Sequence, residues 1–528
     1  MNRSFRLLVL CAFFMILLSS LAGAQQVSLT VFHTNDTHGH LLPFSYPSKV
    51  PSGSELAALK ARSNIGGIAR RVTLYKRLRA ELERKGTAVW LVDAGDFSDG
   101  TPFSTEFHGE ADIEAMNAAG YTFGTIGNHE LNNPLSRLKN LIGMFRFPLV
   151  CANLTENATG QLLVKASEIR KIGLLNVAIF GLTTREGANY PAANELLTIE
   201  NEMETARRMA AALRREADIV IALSHAGKEM DERIAAAVPG IDVIVGGHSH
   251  SRLTLGEMIR FSEDLNVKAP RGTVVVQAHQ WGGELGRLDL QFAKDESGAW
   301  RVARYQARLI PVTSGIPEDP AVAAVVDRYW KPIASRYGVV LGRAADDFVP
   351  LRTDLANYNL VADAVRETCG TDIGLENTGG VRAPLVKGKI TQADLVEMDP
   401  FDNTVVTFKV TGRQLIEILL KSRPAVSGLR YRIDRGQLVE VTVGGKPVED
   451  GRIYTGSTNS YFLGIALKGI ESVNTGKLRR DVVAEYIRRK GTVRPLYDGR
   501  RVIIDPQVER KLQVPPPRRT LQRVLAAF

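Results

Sequence analysis

Five short blocks of the chain close apolar runs with residues able to hold a cation or move a proton. The first, VFHTNDTHGH at 31–40, carries Asp36 and His38. VDAGD at 92–96 adds Asp93 and Asp96, GTIGNHE at 124–130 adds Asn128 and His129, ALSHAG at 222–227 adds His225, and VGGHSH at 245–250 adds His248 and His250. Each block alone reads as a capped turn or an idle loop histidine. Five together at successive strand ends read as a metal centre, because ligands of open α/β sheets gather at the carboxyl ends of the strands. Imidazole, carboxylate and amide oxygen suit zinc, manganese or cobalt, and the lack of cysteine among them speaks against a closed structural zinc site. The number of donors fits two ions better than one.

These blocks need a scaffold, and the pattern supplies one. Short runs rich in branched residues at 27–32, 88–94, 123–127, 177–183, 218–224, 242–247 and 273–278 predict buried strands, and 67–84 and 202–216 between them show helical spacing. Asp319-Pro320 starts a further helix to about residue 333, with aspartate as N-cap and proline at the first turn. A second α/β unit follows, with strands predicted at 404–412, 431–435 and 438–445. The expected division is a leader at 1–24, a first domain at 25–315, a bridging helix at 316–338, a second domain at 339–506 and a tail at 507–528.

Arg3 and Arg6, an apolar run at 7–18 and Ala22-Gly23-Ala24 form the pattern of a cleaved export signal, too short in its apolar part for a spanning helix. Cys11 lacks the small residues that lipid attachment requires, so the expectation is a secreted, periplasmic chain without a membrane span. Cys151 and Cys369 make no disulfide framework and are expected to be free, buried thiols. The formal charge of +10 is spread over helix faces such as 69–85 and suits an anionic small molecule. No basic and aromatic ladder points to a nucleic-acid polymer. Nothing in the sequence specifies an oligomeric state.

The order Asp-x-His, Gly-Asp, Gly-Asn-His-Glu, Ser-His, Gly-His-x-His resembles the calcineurin-like metallophosphoesterases. Asn35-Asp36-Thr37-His38-Gly39 and Gly66-Gly67-Ile68-Ala69-Arg70 resemble, within them, the secreted 5'-nucleotidase and UDP-sugar hydrolase family. The resemblance implies a layered α/β sandwich followed by an α/β substrate-binding domain that rotates about the bridging helix. It also implies two metal ions, one held by Asp36, His38, Asp96 and His250, the other by Asp96, Asn128, His225 and His248. The last block ends in histidine where periplasmic UDP-sugar hydrolase has glutamine. His129 would act at the transferring phosphate. The nucleotidases carry an aspartate three residues after that histidine, whereas this chain has Asn132, which is expected to orient the ring without favouring its charged form.

In the second domain Asn377-Thr378-Gly379-Gly380-Val381-Arg382 resembles the family's Asn-Gly-Gly-Gly-Ile-Arg motif, so Asn377 and Arg382 would meet the nucleotide, with Arg352 as a second arginine. Phe401 and Tyr461 stand where the family sandwiches a nucleobase between two rings. The family's ribose-binding Gly-Gly-Asp-Gly is replaced by Phe462-Leu463-Gly464-Ile465-Ala466-Leu467. The expectation is a 5'-nucleotidase or nucleotide phosphatase. The alternatives are a 2',3'-cyclic nucleotide phosphodiesterase, a UDP-sugar hydrolase, a sulfur-ester hydrolase or a non-catalytic periplasmic binding protein.

Overall fold

The structure is a computed structural model that describes residues 27–50, 54–259, 272–349 and 355–504. The leader, Arg352 and the tail lie outside the described residues. The chain forms two compact units, Met1–Ser45 with Leu59–Ala334, and Tyr46–Ala58 with Ser335–Phe528.

In the first unit one sheet has the strand order Trp300–Pro311, Glu284–Lys294, Val27–Thr34, Ala88–Asp93, Phe123–Gly124. The other runs Glu257–Ile259, Thr273–Val276, Val243–Gly246, Ile219–His225, Leu175–Thr183, Ser167–Ile172. Side-chain alternation sorts these strands into layers. Leu29 and Val31 share one core with Val177, Ile179, Ile221 and Val245, so the sheets pack face to face. Phe32 and Leu91 point the other way, onto Ile68, Val72 and Tyr75 of the helix Ile68–Arg84. Ala178, Phe180 and Val220 cover Ala206 and Met209 of the helix Glu202–Leu213. The result is an α/β/β/α sandwich, the layered fold expected from the resemblance. Each of the seven predicted runs contains a strand, although 123–127 keeps only Phe123–Gly124.

Parallel pairing positions the site. Val27–Thr34, Ala88–Asp93 and Phe123–Gly124 run parallel, as do Leu175–Thr183, Ile219–His225, Val243–Gly246 and Thr273–Val276. Their carboxyl ends therefore lie at one edge of each sheet. The helix Pro320–Trp330 starts as expected, with Asp319 accepting from the Val322 N–H at 3.2 Å, and it buries Val322 and Val326 in the first unit's core.

The second unit is built on a five-stranded sheet of order Ala425–Ser427, Ile373–Glu376, Ile453–Asn459, Thr404–Thr411, Ser472–Leu478, with smaller sheets beside it. The segment Tyr46–Ala58 belongs to this unit, a feature that its sequence does not announce. The Asp347 carboxylate holds it, accepting from the Ser48 N–H at 2.8 Å, the Ser48 hydroxyl at 2.6 Å and the Lys49 N–H at 3.2 Å. Cys151 is buried and Cys369 half-buried, and both are free. Among the described residues no helix is long and apolar enough to cross a membrane.

Candidate active site

At the sheet edge the strands break into tight loops whose ligand candidates adopt backbone conformations rare for residues with a Cβ. Asp36, His38, Asp96, His248 and His250 all have φ between 46° and 69°. Such strain persists only where the surroundings over-determine it, and here the loops are bound to one another. The Asp36 N–H donates to Gly95 O at 2.9 Å, the His38 N–H to Asp96 O at 3.0 Å, and the His248 N–H to Asp36 Oδ2 at 2.9 Å. Gly127 is required by close approach, since a Cβ there would lie 2.1 Å from Asp96 Oδ1.

Glu130 fastens this knot, and the sequence reading passed over it. It is buried, and its carboxylate accepts from the N–H groups of Asp96 at 3.0 Å, Gly127 at 2.8 Å and Ser98 at 3.3 Å. Asp93 has a comparable task. It accepts from the Thr34 hydroxyl at 2.6 Å and the Gly95 N–H at 2.9 Å, so it holds the strand end and falls outside the groups of clustered donors.

Three groups of donor atoms converge: Asp36, His38 and His250; Asp96, His225 and His248; and His38, Asp96 and His129. His38 Nε2 lies 3.2 Å from His250 Nε2, and His250 Nε2 is 3.3 Å from Asp36 Oδ1. His225 Nε2 is 3.1 Å from Asp96 Oδ2 and 3.2 Å from Asn128 Oδ1, which is 2.9 Å from His248 Nδ1. Asp36, His38, Asp96, Asn128, His225, His248 and His250 are thus brought to one place. The spacings suit donors sharing an ion at about 2.0 to 2.2 Å.

Two further observations fit a cation. His38 Nδ1 meets Ser98 O at 3.2 Å and His225 Nδ1 meets Ala94 O at 2.7 Å. A carbonyl only accepts, so both rings carry hydrogen on Nδ1 and present Nε2 to the cluster, the orientation usual for metal-ligating histidine. Burial opposes a charge on His225, but the Asp96 carboxylate outweighs it and pushes the imidazole up to about 10. The cluster attracts positive charge. His33 and His40 are buried and outside it. Burial holds them near 3 and 4, and His40 stacks on Trp281 at 4.4 Å.

His129 lies at the cluster's rim, with Nε2 4.0 Å from Asp96 Oδ2. The sequence predicts that Asn132 orients this ring, and the structure places a carboxylate from another loop between them. Asp99 Oδ2 sits 2.6 Å from His129 Nδ1, and the Asn132 amide bonds to that same carboxylate.

In the second unit the loop carrying Asn377 and Arg382 is organised by Arg479, another residue the sequence reading missed. Arg479 is fully buried. It donates to Glu376 Oε2 at 2.6 Å, to Asp399 Oδ1 at 2.6 Å and to Gly380 O at 2.8 Å. Asn459 links Glu376 Oε2 at 2.6 Å with Asn377 Oδ1 at 3.0 Å. Phe401 is half-buried and Tyr461 is 52 % exposed. Their segments are tied together where the Ser460 hydroxyl donates to Asn403 Oδ1 at 3.3 Å and accepts the Thr404 N–H at 3.1 Å. Arg479→Ala would strand two buried carboxylates, and we expect a loss of about 3 to 5 kcal/mol from the second unit's stability. Calorimetry should show its transition shifted down while the first unit's stays in place.

Residues 29–252 match the family model of the calcineurin-like phosphoesterases, and residues 340–471 match that of the 5'-nucleotidase C-terminal domain. The chain belongs to the 5'-nucleotidase family of calcineurin-like phosphoesterases. As a 5'-nucleotidase family member it is a phosphoric ester hydrolase, and the family implies use of divalent metal. It is 26 % identical over 558 residues to the 5'-nucleotidase of Vibrio vulnificus, covering 92 % of this chain and 97 % of that protein. The crystal structure of the Thermus thermophilus 5'-nucleotidase precursor superposes with a TM-score of 0.80 at 26 % identity, over 90 % of this chain and 99 % of that one. The sulfate thiohydrolase SoxB of the same organism shares the fold, with a TM-score of 0.76 at 21 % identity over 90 % and 96 % of the two chains.

Proposed function

We propose that this family member is an exported 5'-nucleotidase that works with two divalent ions in its first unit. Asp36, His38, Asp96 and His250 would hold one ion, and Asp96, Asn128, His225 and His248 the other, with Asp96 shared. The observation that carries this reading is the pair of donor groups, Asp36/His38/His250 and Asp96/His225/His248, with His225 Nε2 3.1 Å from the Asp96 carboxylate. When bound, the ions supply an activated water near neutral pH and neutralise the phosphate oxygens. Export rests on the charged, apolar and small-residue order of residues 1–24.

The chain's own groups do the rest. His129 turns Nε2 toward the cluster and Nδ1 toward Asp99, so Nε2 is the atom that would meet the transferring phosphoryl group or its leaving oxygen. Arg382, with Arg352, would meet anionic oxygens of the substrate, Asn377 would help fix its pose, and Phe401 and Tyr461 would stack on a base. One observation favours a second substrate class. Where the family has its ribose-binding motif, this chain forms the helix Ser460–Ala466 and buries Phe462 and Leu467 in its core. A 2',3'-cyclic nucleotide, whose ribose 2'- and 3'-oxygens are esterified and need no such contact, therefore competes with a 5'-mononucleotide as substrate.

Assays with manganese or zinc against AMP, 2',3'-cyclic AMP, UDP-glucose, p-nitrophenyl phosphate and p-nitrophenyl sulfate separate these readings. We expect turnover of the nucleotides and little of the sulfate. Phe401→Ala and Tyr461→Ala should each raise KM for the preferred nucleotide about tenfold or more, the loss of one stacking contact worth about 1 to 3 kcal/mol. p-Nitrophenyl phosphate should be cleaved as before. Equal loss on both substrates with metal intact makes the rings structural, and no change on either excludes a stacked base.

A further inference from the structure

Asp99 holds a carboxylate against the ring that the proposed chemistry depends on, in a way that neither its position nor its neighbours would predict. It stands in the turn after Asp96, with φ 72°, a strained value for a residue with a Cβ. The backbone is pinned there, for the Asp99 N–H donates to Ser104 Oγ at 2.8 Å. Ser104 belongs to the short helix Pro102–Phe107 that follows directly. From this pinned turn the carboxylate reaches the ring, and Oδ2 lies 2.6 Å from His129 Nδ1.

A carboxylate only accepts, so His129 carries its hydrogen on Nδ1 and donates it to Asp99. The ring's other nitrogen then faces the cluster, 4.0 Å from Asp96 Oδ2. Asn132 lies on the same side, its Nδ2 3.3 Å from His129 Nδ1. Two N–H donors cannot bond each other, so that amide serves the Asp99 carboxylate, to which it donates. Asn132 supports the acceptor and does not hold the ring directly. The side-chain exposures agree with this arrangement, His129 at 5 % and Asp99 at 21 %.

We propose that Asp99 is the positioning residue for His129, fixing the tautomer and direction of the ring, and that Asn132 acts only through Asp99. This rests on the reading of His129 as the group beside the phosphoester. Because residues 99 and 132 approach the same nitrogen, the carboxylate is transferable: Asp99→Asn should disable the ring, and Asn132→Asp added to it should restore the acceptor from the other side. Asn132→Asp alone would crowd two carboxylates onto one N–H and is expected to give no gain.

The test uses the full-length, metal-loaded chain. Asp99→Asn should lower kcat for p-nitrophenyl phosphate about 10²-fold, the scale of a lost acid–base contribution, with KM within about twofold by the same reasoning, since ground-state binding is untouched. Metal content by elemental analysis should equal wild type. Asp99→Asn/Asn132→Asp should recover most of that kcat. Nuclear magnetic resonance on histidine-labelled chain gives a readout independent of turnover. The His129 Nδ1 hydrogen, assigned by its absence in His129→Gln, should resonate far downfield, move upfield in Asp99→Asn and return in the double variant, because charge-assisted hydrogen bonds are the shorter ones. If Asp99→Asn leaves kcat and the resonance unchanged, or the double variant restores neither, the assignment is overturned. If no phosphoester is turned over by the wild type, the functional reading fails, and the resonance alone decides the role of Asp99.

Discussion

Asp96→Ala is expected to abolish phosphoester turnover, lowering it by about 10³-fold or more, and to remove metal from both positions at once. Asp96 Oδ2 lies 3.1 Å from His225 Nε2, 3.8 Å from His38 Nε2 and 4.0 Å from His129 Nε2. Asp36 also reaches both halves of the donor set, 3.3 Å from His250 Nε2 and 4.0 Å from His225 Nε2, but Asp96 comes closer to a ring of the opposite half, His38 at 3.8 Å. Burial works against its ionisation, yet the neighbouring His225 and His129 hold it well below the usual carboxylate range, so it stands ready as an anionic ligand. Its other oxygen, Oδ1, accepts the His129 N–H at 2.8 Å, so the loss also loosens the peptide that joins His129 to Asn128. Elemental analysis checks the prediction. Residual binding at full affinity in one position would mean that Asp96 is not shared.

Glu130→Ala is expected to be nearly as damaging without removing any donor of the cluster. It would leave three buried N–H groups, of Asp96, Gly127 and Ser98, without the carboxylate they now share. Each unsatisfied buried group costs about 1 to 3 kcal/mol, and the turn at Asp96 would have to relax to find other partners. Outer groups that orient ligands typically matter by about 10- to 100-fold in metal affinity, and we expect the upper end here. Glu130→Gln, which keeps one acceptor oxygen, should fall between. Metal titration and calorimetry of the first unit's transition measure both effects. Wild-type affinity in Glu130→Ala would show that the turn is held by other means.

These two residues show where the sequence was legible. The donors stand out because parallel strands end in short polar blocks, and a strand's end can be read from where its branched apolar run stops. Asp36, His38, Asp96, Asn128, His225, His248 and His250 all lie at such stops and all converge. Asp93 lies at one too and does not join, since Thr34 and Gly95 occupy its oxygens. Spacing along a strand cannot tell a ligand from the residue that ties the loop. Asp99 and Glu130 were illegible for a different reason. Each acts on a partner some thirty residues away that only the tertiary fold brings near. Arg479 starts a helix with another arginine beside it and reads as part of a basic solvated face, yet it is wholly buried between Glu376 and Asp399. The segment Tyr46–Ala58 carries no signal of its own, because the Asp347 carboxylate that holds it lies about three hundred residues away.

Phosphate release from AMP, followed while chelator-stripped full-length chain is titrated with manganese and the ions bound per chain are counted, tests the central claim most directly. The account predicts no release from the stripped chain, saturation at two ions per chain, and turnover that rises as the second ion binds. Full turnover with one ion bound, or release that persists in the stripped chain, would contradict it.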